Sequence, residues 1–463
     1  MDTASAVGGQ RTGDVRDVKK VALASFIGTT IEWYDFFLYG TAAALIFGDL
    51  FFPKAAPAVG TLAAFGTYAV GFAARPLGGI VFGHFGDRVG RKSMLVLALL
   101  IMGTATFLIG CLPTFNSIGV LAPILLVALR FMQGIGVGGE WGGAVLMSVE
   151  HAPDGKRGFF GSWPQMGVPA GLLLSTTVFA IVRGLTDDAT FSAWAWRVPF
   201  LLSIVLVAVG LVIRMKLAES PVFEKVRESE QTSRKPIVDV IREQARDVLT
   251  AMGMRMAENG IFYVYTVFFL AYGEDTLKLS EETMLIGVAI VAAIGLFTIP
   301  FYGRLSDRVG RKPLYMTGAI VSLAMCFPAF ALANTESAIL IWLAMILGVN
   351  IGHDLMYGPQ GAYFAELFGT KHRYSGASLG YQLASVFAGG FAPLIAVALL
   401  AAADGEPTYV AIYMAVMAAI TVVATLFARE TYQDDIGDDQ TKRTPTERFV
   451  RKPAAERDPA GVA

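Results

Sequence analysis

Glu32 and Asp35 stand three residues apart in a run, 21–48, where they are the only charged side chains. On a helix that spacing puts both carboxylates on one face. Two carboxylates so close in a low dielectric cannot easily both stay ionised, which suits a group that takes up and releases a proton near neutral pH. Asp35 is the preferred proton carrier and Glu32 its partner; the competing reading is that one of them pairs permanently with an arginine from another helix. Arg130 lies midway along a second apolar run, with Gln133 one turn on. Its planar, permanently charged fork fits a carboxylate, either that of a substrate or that of Glu32 or Asp35. Arg255 and Glu258 repeat the three-residue spacing and either neutralise each other or face a cavity with Asn259 and Tyr263. Asn350, His353 and Asp354 form a third cluster. His353 either relays protons at physiological pH or is a buried, hydrogen-bonded histidine. Tyr34, Trp163, Gln165, Tyr381 and Gln382 are further candidate cavity liners, and Glu140 a second-tier gate or proton residue.

The elements carrying these residues must cross a membrane. The 463-residue chain is 54% hydrophobic and 16% charged, against about 25% charged in an ordinary soluble domain. That is too little charge to cover a soluble protein of this size, and it excludes disorder, collagen and a disulfide scaffold. The net charge of −1 gives no sign of a nucleic-acid partner. Cys111 and Cys326 both lie in apolar runs and read as free thiols. A crossing helix needs about 20 mostly apolar residues. Stretches without Asp, Glu, Lys or Arg cover 55–74, 93–129, 158–182, 198–213, 283–303, 313–335, 374–403 and 407–428. The second is too long for one helix and is broken by Pro113, Asn116 and Pro123, so it counts as two. Runs 21–48, 246–272 and 337–366 cross with internal charges, which makes twelve spans. A charge at the bilayer centre costs at least ~2.5–3.5 kcal/mol, so Glu32, Asp35, Glu140, Glu258, Asp354, Arg75, Arg130 and Arg255 each need a partner or a function.

The first run is too long and too charged for a cleaved signal, and residues before it are polar, so it reads as the first span. With the N-terminus inside, 30 of the 37 Lys and Arg fall in inside segments. Only Lys54, Arg183 and Lys278 lie in outside loops, and Arg75, Arg130, Arg197 and Arg255 lie in or at the edge of spans. The positive-inside rule then places both termini in the cytoplasm.

The decapeptide Gly83–Lys92 recurs 220 residues later as Gly303–Lys312, each copy between the second and third spans of a six-span half. Glu150 and Arg157, and Glu366 and Arg373, share a spacing of seven between the fourth and fifth spans of each half. The chain is therefore expected to be an all-α membrane protein, a duplicated six-helix unit. Its parts are a cytoplasmic segment 1–20, an N-terminal bundle 21–215, a charged linker 216–245, a C-terminal bundle 246–428 and a disordered tail 429–463. Gly134, Gly138 and Gly142 repeat every four residues, as do Gly139 and Gly143, a small-xxx-small pattern for close helix packing. Two related bundles with a site between them near the midplane is a transporter architecture.

The repeated decapeptide resembles the loop signature of the major facilitator superfamily. More narrowly, the chain resembles the metabolite:H⁺ symporter family, bacterial permeases for shikimate, α-ketoglutarate, citrate and proline/betaine. The residues that carry the likeness are 31–36 (IEWYDF), 74–79 (ARPLGG), 82–92, 138–143 (GGEWGG), 196–200 (WRVPF), 219–223 (ESPVF) and 373–377 (RYSGA). His353-Asp354 and Gly380-Tyr381-Gln382 are similar to shikimate permeases. The resemblance implies twelve helices in two pseudo-symmetric bundles and proton-coupled import of a small organic acid, such as shikimate or a di- or tricarboxylate, by alternating access. Proline or glycine betaine is the alternative, though the tail has no heptads for an osmosensing coiled coil. It also implies a bacterial plasma-membrane location and a cytoplasmic gate. There Asp87, Arg88, Arg91, Asp307, Arg308 and Arg311, with Glu150, Arg157, Glu366 and Arg373, latch the two bundles. No metal cluster, nucleotide-binding loop or nucleophile constellation is present in the sequence. The expected partners are a small-molecule substrate, a proton and the bilayer, with no cofactor, no metal, no obligate protein partner and no enzymatic activity.

Overall fold

A computed structural model of the protein describes residues 15–53, 57–89, 91–215, 240, 242–368 and 373–434. Within them run twelve long helices. The first six are α1 Val15–Leu45, α2 Pro57–Val89, α3 Arg91–Cys111, α4 Leu121–Glu150, α5 Arg157–Gly184 and α6 Arg197–Met215. The second six are α7, which starts at Ala245 and runs through 276, α8 Glu281–Val309, α9 Arg311–Ala333, α10 Ala338–Leu367, α11, which covers 373–402, and α12 Thr408–Phe427. Nine of them are apolar and long enough to span a bilayer by composition alone. The other three, α1, α2 and α7, miss that criterion while carrying Glu32 and Asp35, Arg75, and Arg255 and Glu258, the side chains with which the chemistry began.

The duplication read from the decapeptide reappears in the packing. In the first six helices α1 packs on α5, α2 on α4, and α3 on α6 and α4. In the second six α7 packs on α11, α8 on α10, and α9 on α12 and α10. Between the halves α5 lies against α8 and α10, and α2 against α11. This is the expected all-α fold of two six-helix bundles. The long run 93–129 divides where Pro113 and Asn116 require it: α3 stops at Cys111, a short turn covers Phe115–Ile118, and α4 opens at Leu121. Both cysteines are free thiols.

Small residues set how closely the bundles close. A Cβ on Gly134 would run into the carbonyl oxygen of Gly71, and one on Gly138 into that of Arg75, so α2 and α4 meet backbone to backbone. Gly310, between α8 and α9, has φ +105, a conformation that L side chains rarely adopt. Helices α7, α10 and α11 each contain a π-helical stretch, at Val264–Phe268 and Tyr272–Thr276, Leu347–His353 and Ser385–Gly390. Such turns recur at functional sites because the extra residue re-aims side chains. Here they adjoin Tyr263, Asn350 and His353, and Gln382.

Two boundaries differ from expectation. Helix α1 begins at Val15, ahead of the apolar run, because Arg16, Asp17, Lys19 and Lys20 interrupt hydrophobicity without interrupting a helix. Residues 429–434, expected to open a disordered tail, are tied down by side chains described below. Residues 1–14, most of the linker 216–245, and 435–463 lie outside the described residues.

The α2–α4 contact yields a direct test. Gly134→Ala should destabilise the purified protein by about 1–3 kcal/mol through overpacking, read as a lower midpoint of thermal unfolding in detergent. Gly143→Ala, whose Cβ would meet only the Leu95 side chain at 3.5 Å, should leave the midpoint within error. Equal behaviour of the two variants would contradict the packing role.

Candidate functional site

The interior of the first half holds two separate charge systems. In one, Arg214 from the end of α6 reaches into the bundle and pairs with Glu32 of α1 at 2.5 Å and Glu140 of α4 at 2.7 Å. It also donates to the Leu95 carbonyl. Thr29 donates to Glu140 at 3.3 Å, and Gly28 leaves the room that the guanidinium occupies. Glu32 therefore has an arginine for a partner, and the proposed Glu32–Asp35 couple is not a pair of neighbours with shared surroundings. Asp35 is fully buried; among the described residues it has no ion-pair partner, and the polar group beside it is the Thr106 hydroxyl. A carboxyl buried without a counter-charge is cheaper with its proton than without.

The second system is cationic. Arg130 is fully buried; its Nη1 donates to Gln133 Oε1 at 2.9 Å, and Gln133 Nε2 donates to Thr106 at 2.6 Å. Among the described residues its Nε and Nη2 have no hydrogen-bond partner. Arg75 is equally buried, and its Nε and Nη2 are likewise unmatched among those residues. Among the described residues neither guanidinium forms an ion pair. What they touch instead are ring faces. Arg130 lies 4.2 Å from the ring centroids of Phe36 and Tyr39 and 4.7 Å from that of Tyr68. Arg75 lies 3.9 Å from Phe72 and 4.2 Å from Phe36.

The second half is compensated within itself. Arg255 Nη1 donates to Glu258 at 2.7 Å and to Gln360 at 2.9 Å, its Nη2 to Asn259 at 3.3 Å, and its guanidinium carbon sits 3.2 Å from the Tyr381 ring centroid. Gln360 ties Glu258 to Tyr315. His353 faces Glu258 through Nε2 at 3.3 Å and Asp354 through Nδ1 at 2.8 Å. Asn350 donates to Asp354 at 3.0 Å, and Thr298 donates to it as well. A cavity of about 10 Å³, room for one water, lies beside His353 and Asp354 against Pro169, Leu172 and Phe262.

The two systems meet across the bundle interface. Tyr263 packs on Phe72 at 5.2 Å and on Tyr68 at 6.1 Å. Tyr381 stacks on Trp141 at 3.7 Å, and Gln382 Nε2 donates to the Gly138 carbonyl at 3.0 Å. Trp141 donates to Gln165 at 3.0 Å. Among the described residues Asn259 Nδ2, the Tyr68 and Tyr381 hydroxyls and Gln382 Oε1 are buried with no well-formed hydrogen bond. Tyr34 is spoken for: its hydroxyl donates to the Pro199 carbonyl at 2.7 Å, which makes it a strut between α1 and α6 rather than a cavity liner. Trp163 sits half-buried among Phe159 and Phe160.

At the decapeptide end, Asp307 of the second half accepts from the backbone N–H groups of Gly158 and Phe159 at 2.8 and 2.9 Å. An acid from one bundle thus caps the first turn of α5 in the other, where orphan N–H groups and the helix dipole favour negative charge. Arg311 binds Asp307 at 2.8 Å and Glu366 at 3.1 Å, and Arg157 reaches within 4.0 Å of Glu366. Glu150 is half-buried at the end of α4. Arg308 is exposed and stands outside this network, because the turn at Gly310 presents Arg311 instead. The side chains of Asp87, Arg88, Arg91 and Arg373 lie outside the described residues.

Residues 429–434 complete the latch. Glu430 accepts from the backbone N–H groups of Arg311 and Lys312, both at 3.0 Å, and Thr431 donates to Glu366 at 2.8 Å. Arg157 donates to the Asp434 carbonyl at 2.7 Å, so the segment after α12 bridges both halves. At the opposite end Arg183 of α5 pairs with Glu281 of α8 at 3.3 Å.

Sequence reasoning left out four parts of this site. Arg214 reads as a topogenic charge at the edge of the linker, although two buried acids on α1 and α4 call for a cation. Arg75 stands out as an intramembrane charge but has no partner in the sequence that defines its role. Gln360 and Thr298 carry no signal, being single polar residues in helices.

A family model described as Major Facilitator Superfamily matches residues 25–393 and 297–456. The shikimate transporter of Escherichia coli K12 is 44% identical over 415 residues, 89% of this chain and 95% of that protein. The proline/betaine transporter of the same strain is 34% identical over 428 residues, covering 89% and 84%. Among solved structures, the proton:xylose symporter XylE of E. coli superposes with a TM-score of 0.72 at 18% identity, over 90% of this chain and 97% of that one. That likeness concerns the fold.

The latch predicts an effect on access. In a background with Cys111→Ser, Cys326→Ser and Ser162→Cys, Glu430→Gln weakens both backbone contacts of segment 429–434. Labelling of the introduced cysteine by a water-soluble maleimide should then rise about threefold or more over the Glu430 parent. An unchanged rate would show that this end is held shut without the segment.

Proposed function

The chain belongs to the major facilitator superfamily, and on that premise we propose that it is a proton symporter that imports a small organic acid, with a hydroxylated monocarboxylate of the shikimate type as the leading substrate. It is a multi-pass membrane transporter and not an enzyme. The observation that carries the proposal is Arg130: a fully buried guanidinium with two unmatched nitrogens and no acidic partner among the described residues. A permanent charge in a low dielectric needs a counter-charge, and the free edge of the fork has the geometry of a carboxylate clamp. Asp35, buried without an ion-pair partner among the described residues, is the proton carrier in this reading, separate from the Glu32–Arg214–Glu140 system. The 44% identity to a shikimate transporter supports the substrate class. The rings that a quaternary ammonium would need, Phe36, Phe72, Tyr39 and Tyr68, already face guanidinium groups, which favours the acid over betaine.

Alternating access in this reading moves α1–α6 against α7–α12 about the site between them. Orientation follows the basic residues: both termini cytoplasmic, the decapeptide latch on the inner face, and Arg183–Glu281 on the outer face of a bacterial plasma membrane. Breaking the inner latch releases substrate to the cytoplasm.

Uptake into proteoliposomes under an inward proton gradient, with shikimate, α-ketoglutarate, citrate, proline and glycine betaine as the panel, tests this. Carboxylate accumulation should collapse with a protonophore. Arg130→Lys should lower it at least tenfold, since a bidentate contact is lost. Asp35→Asn should abolish accumulation driven by the gradient. Uptake that ignores the protonophore would leave a uniporter, and uptake of betaine or proline alone would overturn the anion clamp.

A further inference from the structure

Two amide side chains of the second bundle each have one end bonded and one end open. Asn259 of α7 and Gln382 of α11 are 3% and 2% exposed. Asn259 Oδ1 accepts from Arg255 Nη2 at 3.3 Å, and Gln382 Nε2 donates to the Gly138 carbonyl at 3.0 Å. A guanidinium only donates and a carbonyl only accepts, so these partners fix which end of each amide is which. What remains is an open donor, Asn259 Nδ2, and an open acceptor, Gln382 Oε1, neither with a hydrogen-bond partner among the described residues. Both amides lie beside the turn of α2 that carries Arg75. A Cβ on Gly389 would meet the Phe72 ring at 2.5 Å and Asn259 Nδ2 at 2.6 Å, and Phe72 is the ring 3.9 Å from the Arg75 guanidinium. A Cβ on Gly79, one turn after Arg75, would meet the Gly138 carbonyl oxygen at 3.3 Å and Gln382 Cγ at 3.7 Å. The first bundle brings unmatched guanidinium edges to this place, and the second brings an unmatched donor and an unmatched acceptor.

We infer that Asn259 and Gln382 determine specificity by reading hydroxyl groups of the substrate, at the other pole of the site from its carboxylate. The inference rests on the anionic-substrate reading above. A hydroxyl both donates and accepts, so it takes the Asn259 N–H and gives its own hydrogen to Gln382 Oε1, through one hydroxyl or two neighbouring ones. Other ligands fail at these two atoms. The trimethylammonium group of a betaine has neither a hydrogen to give nor a lone pair to offer. A second carboxylate, as in α-ketoglutarate, accepts from Asn259 but sets oxygen against Gln382 Oε1 with no hydrogen between them. A ring without hydroxyls leaves both amide ends unpaired in a buried place, which costs their full desolvation. A site built to hydrogen-bond a hydroxyl rejects an analogue lacking it far more sharply than an apolar pocket tells one methylene from two.

The experiment measures equilibrium binding to the purified full-length protein in detergent by titration calorimetry. Its two probes share a ring and a carboxylate: shikimate, and cyclohex-1-ene-1-carboxylate, which lacks the hydroxyls. The readout is the ratio of their Kd values. Wild type should favour shikimate about a hundredfold or more. Asn259→Leu, which keeps the bulk and removes the donor, should lower that preference about tenfold or more, and Gln382→Met should move it in the same direction. Arg130→Lys should weaken both probes by one common factor, because both carry the carboxylate. Asn259→Asp, which exchanges the open donor for an acceptor, should also lower the preference and gives the comparison if Asn259→Leu does not fold. A wild-type ratio near one, or amide variants that weaken both probes equally, would overturn the inference and leave the amides as ties between helices. Binding of α-ketoglutarate or citrate without binding of shikimate would overturn it too, while the anion clamp stands. Wild-type protein that binds no carboxylate of the panel would overturn the functional reading itself, and this inference with it.

Discussion

Charge in a low dielectric is the constraint that organises this molecule. Arg75, Arg130, Arg214 and Arg255 are buried with Glu32, Asp35, Glu140, Glu258, His353 and Asp354, where each isolated ion costs several kcal/mol. Three solutions coexist. Arg214 shares itself between two acids from different helices, and Arg255, Glu258, His353 and Asp354 form one connected network within the second half. Arg75 and Arg130 are met by ring faces and by Gln133, with no acid paired to them among the described residues. The asymmetry is functional in character: the compensated half can act as a rigid wall, and the uncompensated half is where a mobile anion has most to gain.

The rest of the fold serves that arrangement. Backbone contact between α2 and α4 at Gly71, Gly134 and Gly138 brings Arg75 and Arg130 to the same ring. The π-helical stretches of α7 and α11 follow Tyr263 and Gln382, which touch Phe72 and Gly138 across the interface. At the decapeptide end, Asp307, Arg311 and Glu366 join the halves through charge-assisted contacts to a helix terminus and to segment 429–434. Such contacts are strong enough to hold one conformation, and hydration can replace them when the end opens.

Much of this was legible in the residues. Apolar run length gave the twelve spans because bilayer thickness is a hard limit, and the charges inside three of them marked α1, α7 and α10 as helices that carry chemistry. The duplicated decapeptide foretold helix pairings that recur in both halves. Arg214 was not legible as a partner, since a cation at the end of a span has two outlets, water and the bundle interior, and only the packing of α6 on α1 decides between them. The ordered segment after α12 was missed because a polar, proline-bearing tail has the composition of disorder; its first six residues are held by N–H groups and side chains that lie far away in the chain. Glu32 and Asp35 share a face by spacing, yet their surroundings differ, because neighbouring helices supply Arg214 to one of them and, among the described residues, no counter-charge to the other.

The central claim is that the open edges of Arg130 and Arg75 receive the substrate's carboxylate. An experimental structure of the protein with shikimate bound tests it most directly. The account predicts a carboxylate oxygen about 2.8 Å from Nε or Nη2 of Arg130, with Arg75 turned to the same group. A carboxylate seated on Arg255 or His353, with both edges of the first-half arginines still unmatched, would contradict it.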